Sequence, residues 1–258
     1  MRQVERRAQI RGWIITVLAA GLFAALAADM KIWQGVLSFL FPGEDQVIYP
    51  RADLLTLLGE HLGLVVVSSM FAIAIGIPLG TVVTRRWGRP FLDLVDDLTS
   101  LGQTVPPVAV LALSVPLLGF GFKPTVVALF LYSILPIVRN TIGGLHAVPK
   151  DLIEAARGMG MTASQCLFKV EFPLAIRVIM AGVRISVVIN VGTATVGAVI
   201  GAGGLGAPII AGLVRQNPAF VLEGAVAGGI LAILADRILA RTEASLSTGM
   251  DEDRRLSG

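Results

Sequence analysis

The stretch "EAARGMGMTASQCLFKVEFP", residues 154–173, puts two short polar segments, two glycines and a proline between two long apolar runs. Just before it, Pro149 suits the start of a helix, and "DLIEAAR" is a good helix-forming sequence. Gly158 and Gly160 then predict the end of that helix, because glycine adopts the left-handed conformation of a helix stop at little steric cost. We therefore expect a short helix lying outside the apolar runs.

A second short helix is predicted directly after the first. Thr162 followed by Gln165 is a capping-box pattern, in which each side chain accepts a hydrogen bond from the other residue's backbone N–H. Pro173 is expected to end this helix before the next apolar run, because proline lacks the N–H that a continuing helix needs.

The first helix has two small side chains between two charged ones. Ala155 and Ala156 leave one side nearly flat, so the backbone of a partner could approach closely, and Glu154 and Arg157 would add directional polar contacts beside this patch. Two interpretations remain open from these residues alone. The segment is either a protrusion that fits a groove on another protein or a pair of capped turns that only join helices.

The rest of the chain is strongly apolar. Its 258 residues are 55% hydrophobic and 15% charged, with a mean hydropathy of +0.79, whereas soluble domains carry about 25% charged residues. The apolar residues cluster in runs close to the roughly 20 residues that cross a bilayer. This predicts an integral membrane protein whose basic residues lie in loops, not a nucleic-acid-binding protein. Cys166 is the single cysteine, so an internal disulfide and a cysteine-based metal cluster are excluded.

The pattern predicts an all-α integral membrane protein, a helical bundle of about six transmembrane helices. The expected spans are residues 13–28, 62–84, 98–119, 124–140, 174–200 and 218–239. The expected organisation is an N-terminal cytoplasmic segment, first span and interfacial segment (1–41), an outer loop (42–61), a transmembrane core (62–240) and a short polar cytoplasmic tail (241–258). Residues 242–258 of this tail are expected to be disordered.

The first span has an alternative interpretation. An arginine-rich start, an apolar run and "ALA" at residues 25–27 resemble a secretory signal peptide with its cleavage site. The amphipathic-looking "KIWQGVLSFLF" at 31–41 instead suits an uncut helix that is followed by a segment resting on the outer membrane surface. The topology of the later spans is the same in both cases.

Lysine and arginine are concentrated in alternate loops. The rich loops contain Arg2, Arg6, Arg7 and Arg11 before the first span, Arg85, Arg86 and Arg89 after the second, Lys150, Arg157 and Lys169 between the fourth and fifth, and Arg237 and Arg241 after the sixth. Because cytoplasmic loops carry the excess of basic residues, both termini and residues 154–173 are expected to face the cytoplasm.

The spacing within residues 154–173 resembles a known family motif. The motif begins with "EAA" at Glu154, which is followed after three residues by Gly160. Nine residues later comes the apolar Val170, and after one more residue the pair Phe172–Pro173 ends the motif. This order resembles the EAA loop of binding-protein-dependent ABC importer permeases, with Val170 where that family usually has isoleucine and Phe172 where it has leucine. We refer to residues 147–173 as the EAA loop.

The resemblance implies a function for this loop and a set of partners. In the resembled family the loop docks into a cleft on a separate ATP-hydrolysing subunit. The residues carried over to that coupling role are Glu154, Ala155, Ala156, Arg157, Gly160 and Pro173. The implied partners are two ATPase subunits that bind ATP and magnesium, a second permease copy or paralogue, an extracytoplasmic substrate-binding protein and the bilayer. This chain is expected to hold no cofactor or metal and no nucleic acid, and to lie in a prokaryotic inner membrane.

Three further stretches narrow the resemblance. "IGIPLGTVVTRR" (75–86), "QTVPPVAVLAL" (103–113) and "GTATVGAVIGAGGLGAPIIAGL" (192–213) look like permeases of the type I importer fold for glycine betaine, choline and carnitine. Permeases for D-methionine and other small solutes share parts of them, so these solutes remain the alternative. A gated channel that works without ATP is the alternative from a different class.

Several residues inside the spans or just after one are candidates for the translocation path or its gate. They are Gln103, Pro106, Asn190, Thr193, Gly201 and Gly203. Helices broken by proline or glycine line the substrate route in transporters, but simple kinks and interhelical hydrogen bonds explain the same residues. Arg184 is expected to be a structural anchor rather than a path residue.

Two enzymatic interpretations are excluded. "GAGGLG" at 201–206 matches a dinucleotide-binding glycine pattern, but such a site needs a preceding strand and a βαβ unit, and here it follows an apolar span. None of the four lysines follows a glycine, so the phosphate-binding loop of ATPases is missing. The chain is therefore expected not to be an enzyme, and its energy would come from a partner.

Overall fold

The computed structural model of the chain describes the backbone of residues 2–256 and the side chains of residues 10–245. Over this part of the chain the secondary structure is helical, with no strand. The α-helices are α1 Arg2–Ala28, α2 Met30–Leu40, α3 Leu54–Thr84, α4 Leu92–Thr104, α5 Pro107–Leu118, α6 Phe122–His146, α7 Lys150–Gly158, α8 Ala163–Cys166, α9 Phe172–Thr193, α10 Gly206–Arg215 and α11 Pro218–Leu256.

Five of these helical segments are long and apolar enough to cross a membrane. They are Ile10–Ala28, Leu54–Thr84, Phe122–His146, Ala163–Ile200 and Pro218–Ser245. Arg89–Thr104 and Pro107–Leu118, which meet at an angle of 95°, bring the number to six when this bent pair is counted as one span. The prediction of an all-α bundle with about six transmembrane helices is confirmed.

The third predicted span, 98–119, is wrong as a single helix. The chain leaves the helical conformation at Val105 and Pro106, whose ψ angles are 126° and 138°. A residue that precedes proline is pushed out of the helical region by the proline ring, and "VPP" places two such positions in succession. The bend between α4 and α5 follows directly from this proline pair.

Two other boundaries also differ from the sequence-based expectation. α3 begins at Leu54, inside the expected outer loop 42–61, because the Asp53 carboxylate accepts a hydrogen bond from the Thr56 N–H at 2.6 Å and caps the helix. The backbone of α11 continues to Leu256, beyond the expected end of the sixth span at residue 239. Residues 257–258 lie outside the described part.

Pro173 does not end a helix, contrary to the prediction. α8 passes through a π turn, Leu167–Glu171, directly into α9, and the Phe172 N–H bonds to the Leu167 carbonyl. Pro173 then occupies the first turn of α9, where a missing N–H is tolerated. The wider π turn thus lets the chain enter the membrane span without a break.

The helices pack into one bundle with two main apolar clusters. The larger joins α1, α3, α6, α9 and α11, and its buried members include Phe23, Leu54, Leu64, Leu129, Val191, Leu205 and Phe220. The smaller lies directly under the EAA loop and consists of Leu145, Val148, Ala175 and Ile179, with Ile77, Ile153 and Leu167 packed against it. The EAA loop therefore rests on the ends of α3, α6 and α9.

Candidate functional site: the EAA loop

The first helix of the EAA loop, α7, begins after Pro149 and ends where the glycines predict. Gly160 has a φ of +83°, which is the left-handed region. Its N–H bonds to the Arg157 carbonyl at 2.9 Å, and the Met161 N–H bonds to the Ala156 carbonyl at 3.1 Å. These bonds satisfy carbonyls at the helix end. Gly158 is still helical, so Gly160 alone provides the left-handed stop.

The second helix begins with the predicted capping box. The Thr162 N–H donates to Gln165 Oε1 at 2.9 Å, and the Gln165 N–H donates to Thr162 Oγ1 at 3.3 Å. The two helices of the loop are therefore joined by a connection, Met159–Thr162, in which one glycine and one reciprocal cap define the geometry.

The outward face of α7 is apolar and small at its centre. Glu154, Ala155 and Arg157 are exposed, and Leu152 and Met159 beside them are exposed apolar side chains. Such a surface, small and apolar with charges at its edge, suits close contact with another protein.

Ala156 is not part of the outward flat patch that the sequence predicts. It is only 2% exposed and faces the chain's own core rather than a partner. Ala156 follows Ile153 by three residues, and residues three apart lie on the same side of a helix. Ile153 packs on the cluster beneath the loop. One alanine of the pair is thus an anchor, and only Ala155 is part of the outward surface.

An ion pair that the sequence analysis missed fastens the loop to α3. Arg85 donates two hydrogen bonds to the Glu171 carboxylate, at 2.9 Å from Nη1 and 2.6 Å from Nη2. The Glu171 side chain is 6% exposed. Glu171 could have been singled out from the sequence as an acidic residue between the apolar Val170 and Phe172, at the start of a membrane span. Its partner Arg85 could not be predicted, because it lies 86 residues earlier in the chain.

The candidate path residues Gln103 and Pro106 lie at the bend between α4 and α5. The Gln103 side-chain amide donates to the Tyr132 carbonyl of α6 at 2.7 Å, and the Tyr132 hydroxyl donates to the Val105 carbonyl. Pro106 is exposed and precedes the first residue of α5. The bend is therefore held against α6 by side chains, and Pro106 stays exposed.

Asn190 is a helix-packing residue. It is fully buried, and its amide donates to the hydroxyls of Ser68 and Ser69, both at 3.0 Å. The bonds join α9 to α3, so the predicted path-facing orientation of Asn190 is wrong within this chain. Thr193, three residues on, is half-buried. The physical reason is that a lone amide in an apolar span is stabilised by hydroxyl partners on the neighbouring helix.

Gly201 and Gly203 form a turn at the end of the bundle opposite the EAA loop. Both have positive φ, +76° and +75°, and follow a 3-10 segment, Ala194–Ile200, instead of a strand. The neighbouring Gly204 N–H donates to Glu60 Oε2 at 2.7 Å. The stretch leads the chain into the short helix α10 and has no preceding strand, so it lacks the context of a dinucleotide site.

Comparison with known proteins identifies the family. Residues 76–247 match the family described as "Binding-protein-dependent transport system inner membrane component". The chain belongs to this family.

Curated relatives of this permease carry transport names. The osmoprotectant import permease protein OsmY of Salmonella typhimurium is 45% identical over 74% of this chain and 80% of its own length. The glycine betaine/carnitine/choline transport system permease protein OpuCB of Bacillus subtilis is 44% identical over 74% of this chain and 87% of its own. The carnitine transport permease protein OpuCB of Listeria monocytogenes is 40% identical over 80% and 94%.

A solved structure has the same fold. A chain of the MetNI methionine ABC transporter, described in inward-facing conformations, superposes with a TM-score of 0.67 at 26% identity, over 75% of the permease and 95% of that chain. The permease is thus a multi-pass inner membrane component with the type I ABC importer fold that the EAA loop predicts.

Arg184 of the permease is paired within the bundle. It donates to the Asp236 carboxylate at 2.5 Å from Nε and 2.9 Å from Nη2, which joins α9 to α11. This agrees with the predicted structural anchor, because a counter-charge offsets the cost of a charge within an apolar span. Two shallow grooves beside the pair, one of about 340 Å³, are not lined by any of the predicted path residues.

Glu171 is not the sole buried carboxylate among the described side chains. Glu223 on α11 is fully buried, and its Oε2 accepts the Tyr49 N–H at 2.9 Å. Nearby, the Asn217 side chain donates to the Gln46 carbonyl at 2.7 Å. Together they hold the segment between α2 and α3 against the start of α11. Within the described side chains, no group of three or more His, Cys, Asp or Glu residues is arranged to hold a metal ion.

The role of Asn190 in packing leads to the first prediction. Asn190→Ala is expected to destabilise the permease by about 1–2 kcal/mol, since interhelical polar contacts in membranes contribute about that much at most. Thermal unfolding of the purified protein measures this, with Thr193→Ala as the matched control on the same helix. The ratio of uptake rates between solutes is expected to stay unchanged. A changed ratio in Asn190→Ala would instead place this side chain in the path.

Proposed function

We propose that this permease is the pore-forming subunit of an ATP-driven importer for a small osmoprotectant such as glycine betaine, choline or carnitine. The observation that carries the solute class is the 40–45% identity, over about three quarters of the chain, to proteins named for these solutes. The methionine transporter chain is only 26% identical over a similar length. Import of D-methionine or another small solute by the same fold is the second candidate.

The ATPase is proposed to dock on the EAA loop. In each permease copy, the exposed face of α7, with Ala155 at its centre and Glu154 and Arg157 at its edge, would enter a cleft on one of two ATPase subunits, which bind ATP and magnesium. Because Ile153 packs on the cluster under the loop and Ala156 on the same side of α7 is buried, a push on α7 would be passed to the helix ends below it. Closure of the ATPase pair would thus switch access between the two sides of the membrane.

A second permease copy or a paralogue is proposed to complete the pathway. α5 packs against α6 through Val110, Leu111 and Ala128, whereas Leu113 and Leu117 of α5 are 73% and 85% exposed. Five or six helices of one copy form a thin bundle, and a two-fold pair is the simplest way to enclose a route. A binding protein would deliver solute to the outer face, and both termini would lie in the cytoplasm.

Uptake by the reconstituted complex tests this proposal. The permease, its ATPase and its binding protein are placed in vesicles and offered labelled glycine betaine, choline, carnitine and D-methionine. We expect ATP-dependent accumulation of at least one of the first three solutes, at least tenfold above vesicles without ATP, because only the closed ATPase pair drives the switch.

The other outcomes separate the alternatives. Accumulation of D-methionine alone would overturn the solute class and retain the ATP-driven mechanism. Downhill flux through vesicles that contain the permease without any ATPase would indicate a gated channel. Replacing ATP by a non-hydrolysable analogue controls for binding without turnover.

A further inference from the structure

We propose that the Arg85–Glu171 ion pair is the strut through which movement of the EAA loop reaches α3. Arg85 and Glu171 are positioning residues in this role, since neither is part of the outward surface of α7. The inference rests on the proposed function, because only a loop moved by an ATPase gives the pair a displacement to transmit.

The pair is held rigidly. Both oxygens of Glu171 accept from Arg85, at 2.9 and 2.6 Å, and Arg85 Nε donates to Thr84 Oγ1 at 3.1 Å. The Thr84 hydroxyl in turn donates to the Thr81 carbonyl of α3 at 2.7 Å. All three guanidinium nitrogens are therefore engaged. A planar, bidentate contact fixes orientation as well as distance, which lysine at this position would not do.

On the loop side, the pair is attached at a special point of the helix. Glu171 is the last residue of the π turn Leu167–Glu171, which connects α8 to α9. Such turns are rare in proteins overall, and those that occur are often found at functional sites. The rings of Phe168 and Phe172 stack across it with centroids 5.7 Å apart. Since the helix continues through the turn, a displacement of the EAA loop is carried to Glu171 without a flexible joint.

On the other side, the pair attaches to a helix with no direct chain connection to the loop. α6 and α9 are covalently continuous with the EAA loop, but α3 reaches it only through side chains. Apart from Arg85, Ile77 packs on the cluster beneath the loop. Apolar contact is non-directional and permits sliding, whereas the ion pair gives α3 a directional contact with the EAA loop itself. The Asn190 bonds to Ser68 and Ser69 join α3 to α9 further along the span.

Movement of the end of α3 would also move the bent pair of helices α4 and α5. Arg85 is the residue that ends α3, and the turn it begins leads through Arg89–Phe91 into α4. The Gly88 and Arg89 N–H groups both bond to the Arg85 carbonyl, at 3.0 and 2.9 Å. A pull on the Arg85 side chain therefore acts on the corner that positions α4 and the bend to α5.

A merely structural pair would behave differently from a strut. Loss of a structural pair lowers the amount of folded complex, while each surviving complex still couples uptake to ATP. Loss of a strut changes the amount of solute moved per ATP hydrolysed in complexes that are fully assembled. The number of solute molecules imported per ATP is therefore the deciding measurement.

The test uses the reconstituted complex with Glu171→Gln, Arg85→Lys, and the double exchange Arg85→Glu with Glu171→Arg. We expect Glu171→Gln to lower solute imported per ATP at least fivefold, Arg85→Lys to be intermediate, and the double exchange to recover at least half of the wild-type ratio. Asp96→Asn is the matched control. It breaks another bidentate pair, Arg139–Asp96, with bonds of 2.7 and 2.9 Å, that joins α4 to α6 away from the loop. Its ratio is expected to stay within twofold of wild type.

The outcomes distinguish the two proposals. A wild-type complex with no ATP-driven import refutes the proposed function and the strut with it. A coupled wild type in which assembled Glu171→Gln keeps the normal ratio refutes the strut alone. If Glu171→Gln does not assemble, Arg85→Lys decides: a normal ratio in that variant also refutes the strut, and a lowered one supports it.

Discussion

Gly160→Val is expected to abolish most ATP-driven uptake while the chain still inserts in the membrane. The backbone at Gly160 has a φ of +83°, where a residue with a side chain costs about 1–2 kcal/mol and a β-branched one more. A Cβ there would meet no neighbouring atom, so the strain lies in the backbone alone. Relief of that strain requires α7 to end differently, which misplaces Ala155 and its neighbours.

A shift of about 1.4 kcal/mol corresponds to a tenfold change in an equilibrium, so we expect uptake to fall at least tenfold. Uptake and the quantity of inserted protein are measured together. Gly158→Ala is the matched control, because Gly158 is helical, its Cβ also has open space, and alanine favours helix. Normal uptake by Gly160→Val, or equal loss in both variants, would contradict a role for the left-handed stop in coupling.

Gly182→Ala is expected to destabilise the fold. Gly182 lies on α9 where it crosses α6, and an added Cβ would lie 2.6 Å from Asn140 Cβ and 2.7 Å from the Pro136 carbonyl oxygen. Backbone atoms cannot rotate away as a flexible side chain can. Overpacking of this kind costs about 1–3 kcal/mol, which for a chain of this length lowers Tm by several degrees.

Thermal unfolding of the purified protein measures this prediction. Gly192→Ala is the control on the same helix, since an added Cβ there meets no atom within 4 Å. We expect Gly192→Ala to be neutral or slightly stabilising, because alanine exceeds glycine in helix propensity by about 0.8–1.0 kcal/mol. Equal Tm values for the two variants would mean that α6 and α9 do not approach as closely as described.

The local features of the EAA loop could be predicted because they depend on neighbours in sequence. The stop at Gly160 requires only a residue that accepts positive φ, and the Thr162–Gln165 capping box closes over three residues. The number of spans follows in the same way from the length of the apolar runs. The π turn before Pro173 was missed, because the helix continues there through packing on the cluster beneath the loop.

The assignments that failed concern which way a side chain faces. Asn190 was assigned to a path and is buried against Ser68 and Ser69, and Ala156 was assigned to the outward patch and is buried beside Ile153. In an apolar span the sequence contains few polar residues to mark the face that meets water. Both lipid and neighbouring helices are apolar, so periodicity cannot separate them.

Composition and spacing by themselves determined that this chain is a membrane-spanning helical protein with a capped loop of two short helices, because crossing a bilayer and stopping a helix are properties of short stretches. Only the tertiary structure decided which charges meet. The pairs Arg85–Glu171 and Arg184–Asp236 join residues 86 and 52 positions apart. Such pairs form because a charge near the bilayer is costly without a counter-charge, and the partner is selected by the packing of whole helices.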